Sequence, residues 1–83
     1  MVNAFSCVTM LQSGRDPEAH YVGLSDDLRT RLSDHNSGRV SHTSKLRPWR
    51  IKTAIAFTDR TRAAEFERYL KSASGRAFAE KHF

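Results

Sequence analysis

Eighty-three residues, 39% of them hydrophobic and 28% charged, bound the chain to a single domain, residues 1–83, with a modest core. One cysteine and no Cys/His cluster at zinc spacing exclude a disulfide framework or a structural zinc site as the staple of so small a fold. Fourteen Lys and Arg against nine Asp and Glu give a net charge of +5; no run approaches the ~20 apolar residues of a membrane span, and no basic leader precedes an apolar stretch, so a soluble, cytoplasmic protein is expected.

In chain order, Phe5 to Leu11 is an apolar run without helical periodicity, closed by the turn chemistry of Ser13-Gly14-Arg15-Asp16-Pro17. Cys7 lies in this run and reads as a buried, inert thiol in a reducing compartment. His20 to Leu24 is a second run, and the two form an antiparallel hairpin with a long loop. Ser25 has the character of a helix N-cap, with Asp26 and Asp27 in a first turn where the helix dipole favours negative charge. Leu28 and Leu32, four apart, define the buried stripe of this helix, which frays near Asn36 and stops by Gly38. At ~100° per residue, Arg31 and His35 flank that stripe, where polar groups need partners.

Gly38 to Leu46 reads as a basic loop with a short helical turn, and Pro48 fixes an extended entry into a third strand, Trp49 to Phe57. Thr58 or Asp59 caps a helix to about Ser72, with Ala63, Phe66, Leu70 and Ala73 on its inner face; Ser74 to Lys81 forms a last short helix that packs Phe78 and Phe83. The fold class is α/β (α+β): a three-stranded antiparallel sheet flanked by helices. From Gly38 to Lys52 the chain carries Arg39, Lys45, Arg47, Arg50 and Lys52 and no acidic residue, with Ser, Thr and Trp49 between them. A cationic segment of this kind suits a nucleic-acid phosphate backbone; the competing interpretation is a solvated loop with no ligand.

Tyr21-Val22-Gly23 ends a strand before the capped helix, where the glycine lets a ligand approach the sheet edge. Taken with Leu24-Ser25-Asp26-Asp27-Leu28, Arg31-Leu32 and His35-Asn36-Ser37-Gly38, this stretch resembles the second half of the GIY-YIG endonuclease signature. Pro48-Trp49, Glu67-Arg68-Tyr69-Leu70-Lys71 and Gly75-Arg76-Ala77-Phe78 extend the resemblance over nearly the whole chain, to small stand-alone members related to the nuclease domain of the UvrC excision-repair protein. It implies a metal-dependent endonuclease that hydrolyses DNA phosphodiester bonds in repair or recombination. Tyr21 then matches the general base toward the attacking water, Arg31 the arginine that grips the scissile phosphate, His35 a proton-transfer or phosphate-contact residue, and Glu67 the ligand of one divalent metal, Mg2+ or Mn2+. Arg39, Lys45, Arg47 and Arg50 supply contacts to DNA. A fused or separate partner protein, or structure-selective recognition, would provide specificity that so short a chain does not.

The chemistry agrees with these roles. Arginine offers a planar, permanently charged fork to phosphate oxygens. One carboxylate with waters and substrate oxygens is an ordinary magnesium site. A phenol, with a reference pKa of ~10, needs the metal-bound water or a nearby cation to acidify it before it can act as a base. Structural alternatives stand beside each role: Glu67 pairing with Lys71, His35 bonding a carbonyl at the helix end, Arg31 pairing with Asp27 or Asp34. His20, His42 and His82 read as surface or loop residues, His42 with a backbone contact, and Arg76 as either a phosphate contact or a helix-terminal residue. The sequence departs from the family at Thr9, where the first motif ends in tyrosine, and at Cys7, where glycine is usual. Threonine keeps a hydroxyl but lacks the ring and its reach. The alternative function is therefore a catalytically weakened nucleic-acid-binding module of the same fold, and a protein-interaction adaptor is a third.

Overall fold

The strands of the sheet run Ser6–Ser13 (β1), His20–Ser25 (β2) and Trp49–Phe57 (β3), in the computed structural model, which describes residues 5–39 and 43–83. Helix α1 spans Leu28–Ser37, α2 Arg60–Leu70 and α3 Ala73–His82, with a 3-10 turn at Ser44–Leu46. All pairing is antiparallel in the order β2-β1-β3, so β1 is central. Its alternation divides the molecule. Val8 and Met10 face one side, where they pack with Ala63 and Leu70 of α2 and Ala79 of α3, against Phe57, Phe66 and Phe78. Thr9 and Leu11 face the other, beneath α1, opposite Gly23 and Tyr21 of β2. The β1–β3 register shifts between Met10 and Leu11, leaving Lys52 as an extra residue on β3.

The expected fold, the long-looped hairpin, the third strand, the helical turn in the basic loop and the stop at Gly38 all hold; Gly38 closes α1 in the left-handed region at φ 86°. Three local expectations are corrected. The cap of α1 is Asp27, not Ser25: pairing with Cys7 keeps Ser25 in the strand, and the Asp27 carboxylate instead accepts from Thr30 N–H at 3.1 Å. The Ser25 hydroxyl still serves the turn by accepting from Asp27 N–H at 2.9 Å. Second, Leu28 and Leu32 are only half-buried, and the buried residue of α1 is His35. The sheet face under this helix mixes Leu11 with Thr9, Gly23 and Tyr21, and the inward residue of the helix is the histidine, which packs on Tyr21 and Trp49. Third, Ala73 opens α3 and is exposed. The chain turns at Lys71, Ser72 caps α3, and the corner is so tight that a Cβ at Gly75 would lie 1.8 Å from the Tyr69 carbonyl oxygen.

No helix among the described residues is long and apolar enough to cross a membrane. The backbone contact expected of His42 falls outside the described residues.

Candidate active site

The polar side of the sheet gathers three of the expected residues. Tyr21 and Gly23, two apart on β2, point to the same side, and Arg31 comes down from α1 into the space that Gly23 leaves open. A Cβ at Gly23 would stand 2.6 Å from Arg31 Nη2 and 3.3 Å from the Tyr21 ring, so any larger residue there would push the guanidinium off the sheet. The Arg31 Cζ sits 5.9 Å from the centre of the Tyr21 ring, at cation–π range. Neither carboxylate of the structural alternative pairs with Arg31: Asp27 is occupied by Thr30, and Asp34 pairs with Arg39 at 3.7 Å. Arg31 Nε is buried and has no hydrogen-bond partner among the described residues. A buried guanidinium nitrogen in this state favours an incoming oxyanion.

His35 is the third member. It is 1% exposed, and its ring centroid lies 4.4 Å from that of Tyr21 and 6.4 Å from that of Trp49. Its Nδ1 is 2.9 Å from Thr43 Oγ1. Thr43, 2% exposed, precedes the 3-10 turn, and its carbonyl accepts from Trp49 Nε1 at 2.8 Å. Asn36 then ties α1 to β3 by donating to the Trp49 carbonyl at 2.9 Å and accepting from Trp49 N–H. Thr43 and Asn36 were not among the residues expected to build the site. The usable signal was a Thr and a Trp within a basic loop, together with an amide directly after the histidine.

Glu67 belongs to α2, on the opposite side of the sheet. Its side chain is 19% exposed and is ion-paired with Lys71, one turn on, its sole polar partner among the described residues. The structural alternative for Glu67 is thus the contact present, and the structure does not join it to Tyr21, Arg31 and His35. No group of three or more His, Cys, Asp or Glu side chains among the described residues could form an all-protein metal cage. A lone carboxylate fits magnesium or manganese, which retain water and take substrate oxygens, better than zinc. Thr9, at the departure from the motif, is 2% exposed, and its hydroxyl lies 3.4 Å from the Gly23 carbonyl it donates to.

The four expected cationic residues, Arg39, Lys45, Arg47 and Arg50, are all exposed. Arg47 donates to the Ser44 carbonyl at 2.8 Å and Arg50 to Gln12. Arg15, which sequence reasoning left out, joins them by donating to the Lys45 carbonyl at 3.4 Å. The buried Ser13 hydroxyl donates to Leu46 O at 2.6 Å and so clamps this basic turn to the end of β1. His20 is exposed beside Lys52, His82 stacks on Phe78, and Arg76 caps the Lys71 carbonyl at 3.3 Å. Cys7 is a free, half-buried thiol. A cleft of about 420 Å³ on the α2–α3 side, lined by Met10, His20, Val22, Lys52 and Arg76 among others, includes none of Tyr21, Arg31 and His35. The Asp27 carboxyl is held below the usual carboxylate range, first by Thr30 N–H and then by the Thr30 hydroxyl.

The GIY-YIG catalytic domain family model matches residues 6–81. Among curated proteins, the chain is 39% identical over 72 residues to the structure-specific endonuclease subunit slx1 of Talaromyces marneffei, covering 80% of this chain and 18% of that protein. The subunits of the same name from Talaromyces stipitatus and Paracoccidioides lutzii are 36% and 33% identical over 72 residues, covering 80% of this chain and 18% and 16% of theirs. The chain therefore spans less than a fifth of the length of these curated relatives. No solved structure matches it.

Proposed function

The chain belongs to the GIY-YIG catalytic domain family, and from that premise we propose that residues 1–83 form one nuclease domain that hydrolyses DNA phosphodiester bonds with a divalent metal. The observation that carries the reading is the Arg31 guanidinium, seated over Gly23 beside Tyr21 with its Nε buried and no carboxylate on it. Its fork would take two oxygens of the scissile phosphate. The Tyr21 hydroxyl, with the Arg31 cation beside it, would take the proton of the attacking water as it releases its own toward His35. His35, packed on the Tyr21 ring, would carry that proton onward. By resemblance to the family, Glu67 would be the ligand of Mg2+ or Mn2+, with waters and substrate oxygens completing the shell and the ion supplying neutralisation of charge on phosphate. In this structure it stands on the α2 side, paired with Lys71 and apart from Tyr21, Arg31 and His35. The exposed cations Arg15, Arg39, Lys45, Arg47 and Arg50 would track the backbone of the same DNA.

The substrate class we favour is branched or otherwise structured DNA in repair or recombination. The relatives are named as structure-specific endonuclease subunits, and that word also supports a partner protein that selects the substrate. The free Cys7 thiol agrees with a reducing compartment such as the cytoplasm. A second reading, a catalytically weakened DNA-binding module, is favoured by one observation: the Thr9 hydroxyl is turned to the Gly23 carbonyl, where the family's tyrosine would bring a phenol.

Cleavage of plasmid, branched and single-stranded DNA with magnesium or manganese separates the two, using wild type, Tyr21→Phe and Glu67→Ala. Loss of cleavage in both variants is the expected result. Equal cleavage by all three would trace the activity to a contaminant and end the catalytic reading. Binding without cleavage under either metal would favour the weakened module.

A further inference from the structure

We propose that Thr43 is a positioning residue for His35: its hydroxyl accepts from His35 Nδ1–H, which orients the ring and stabilises the tautomer whose Nε2 exchanges protons beside Tyr21. The proposal rests on the reading of His35 as proton carrier.

An imidazole with a hydrogen bond at one nitrogen has its chemistry directed to the other, so the partner at Nδ1 decides what Nε2 can do. With Nδ1–H donating to a hydroxyl, Nε2 presents a lone pair and can take a proton. With the reverse tautomer, Nε2 already carries one and cannot. A threonine hydroxyl can bond either form; the base role selects the first. The bond then survives proton uptake, because the imidazolium keeps the same Nδ1–H donor. Both side chains are sealed from water, His35 at 1% and Thr43 at 2% exposure, so solvent does not replace the 2.9 Å contact when the hydroxyl is removed.

Thr43 could not do this from an unanchored loop. It lies in neither a strand nor a regular helix, yet Trp49 Nε1 holds its carbonyl at 2.8 Å. Trp49 is in turn held by the Asn36 side chain, which contacts both its N–H and its carbonyl. The bonds close a circuit from α1 through Asn36, Trp49 and Thr43 back to His35, four residues of which the notable one for chemistry is the histidine. The circuit leaves the His35 ring wedged between Tyr21 at 4.4 Å and Trp49 at 6.4 Å. A hydroxyl fixed from behind by an indole can orient that ring as well as fill space beside it, and the two roles have different signatures.

The test uses the full chain, 15N-labelled, with long-range 1H–15N spectra of the histidine rings in wild type, T43S, T43V and H35Q. The H35Q spectrum assigns the His35 signals. Single-turnover cleavage of a branched DNA is measured alongside. Wild type and T43S are expected to show the Nδ1–H tautomer, and T43V to lose it. In cleavage, T43V is expected to lose about tenfold to a hundredfold in the single-turnover rate at saturating enzyme, with the half-saturating enzyme concentration nearly unchanged, and T43S to restore most of it. T43A removes the hydroxyl without placing a methyl against Nδ1 and gives the same readings should T43V not fold. A wild-type tautomer pattern in T43V or T43A would overturn the proposal. So would an altered tautomer with an undiminished single-turnover rate while H35Q is inactive. An H35Q protein that cleaves like wild type would instead remove the proton-carrier reading, and the role of Thr43 with it. The spectra alone decide whether Thr43 sets the tautomer.

Discussion

The two faces of one three-stranded sheet do different work with different residues. Toward α2 and α3, β1 presents Val8 and Met10, and the space is filled by Ala63, Leu70, Ala79 and a group of phenylalanines, with Phe66 and Phe78 edge to face at 6.3 Å. Toward α1, the same strand presents Thr9 and Leu11, and the residues buried nearby include His35 and Thr43. The first face gains free energy by removing apolar surface from water, a contribution indifferent to the exact placement of each group. Groups on the second must each be paired, and the pairing fixes their positions to within a hydrogen bond. A small domain can therefore hold a preorganised polar site because the apolar half of its sheet supplies the stability. The cost of the site is visible in Arg31, whose buried Nε finds no partner among the described residues.

That division can be broken at either face. Leu70→Ala on the apolar side should cost about 2–5 kcal/mol, a large share of a domain stability of about 5–15 kcal/mol. Thermal or urea unfolding measures the loss. DNA cleavage per folded molecule should stay at the wild-type level at temperatures where the variant is fully folded; a parallel fall in kcat would show that the two faces are coupled. Arg31→Leu on the polar side should do the reverse. Cleavage falls about a hundred- to a thousandfold, as expected for removal of one preorganised charge from a transition state. The melting temperature should hold or rise, because a buried nitrogen without a partner is gone. A clear drop in Tm would mean that Arg31 is a structural residue.

The same contrast explains what could be read from the sequence. The apolar face was legible: the short apolar run Phe5 to Leu11 without helical periodicity and the Ala63, Phe66 and Leu70 spacing give strand and helix directly, because burial of apolar residues marks the sequence. The polar face was legible only where the family resemblance spoke. Tyr21, Gly23, Arg31 and His35 do meet, whereas the expected stripe through Leu28 and Leu32 turned out half-buried, since the inward residue of α1 is His35. Asp27 displaced Ser25 as the cap for a related reason: the pairing of Ser25 with Cys7 is a tertiary fact that local propensity does not contain. Thr43 and Asn36 left only residue types, a threonine in the basic loop and an amide after the histidine, because a hydrogen bond across a loop has no period. Glu67 remains apart, matched by resemblance and held in the structure by Lys71.

A smaller effect sharpens the limits of the polar side. Lys45 sits on the basic turn that Ser13 clamps to β1, with its side chain exposed. Lys45→Ala should weaken DNA binding about equally across sequences and lower the slope of log K against log salt by about 1. Tm and the single-turnover rate at saturating enzyme should not change. An unchanged salt slope would remove this turn from the DNA path.

The smallest expected effect tests whether α1 is stabilised separately from the apolar core. Asp27 caps α1 by accepting from Thr30 N–H at 3.1 Å and from the Thr30 hydroxyl at 2.9 Å, and these bonds hold its carboxyl below the usual range. A carboxyl with a lower pKa in the folded than in the unfolded state binds fewer protons when folded, so it stabilises the fold above the usual carboxylate range. That contribution disappears as the pH falls through the depressed folded value. Asp27→Ala should therefore lower Tm slightly at neutral pH, and the gap from wild type should close in strong acid, where both proteins lack the charged cap. Amide hydrogen exchange localises the loss: protection should fall in α1 and stay unchanged in α2 and α3, because local opening of this helix does not require the apolar layer to separate. Equal loss of protection on both sides of the sheet would show one cooperative unit, and the polar site could then no longer be altered without disturbing the core that supports it.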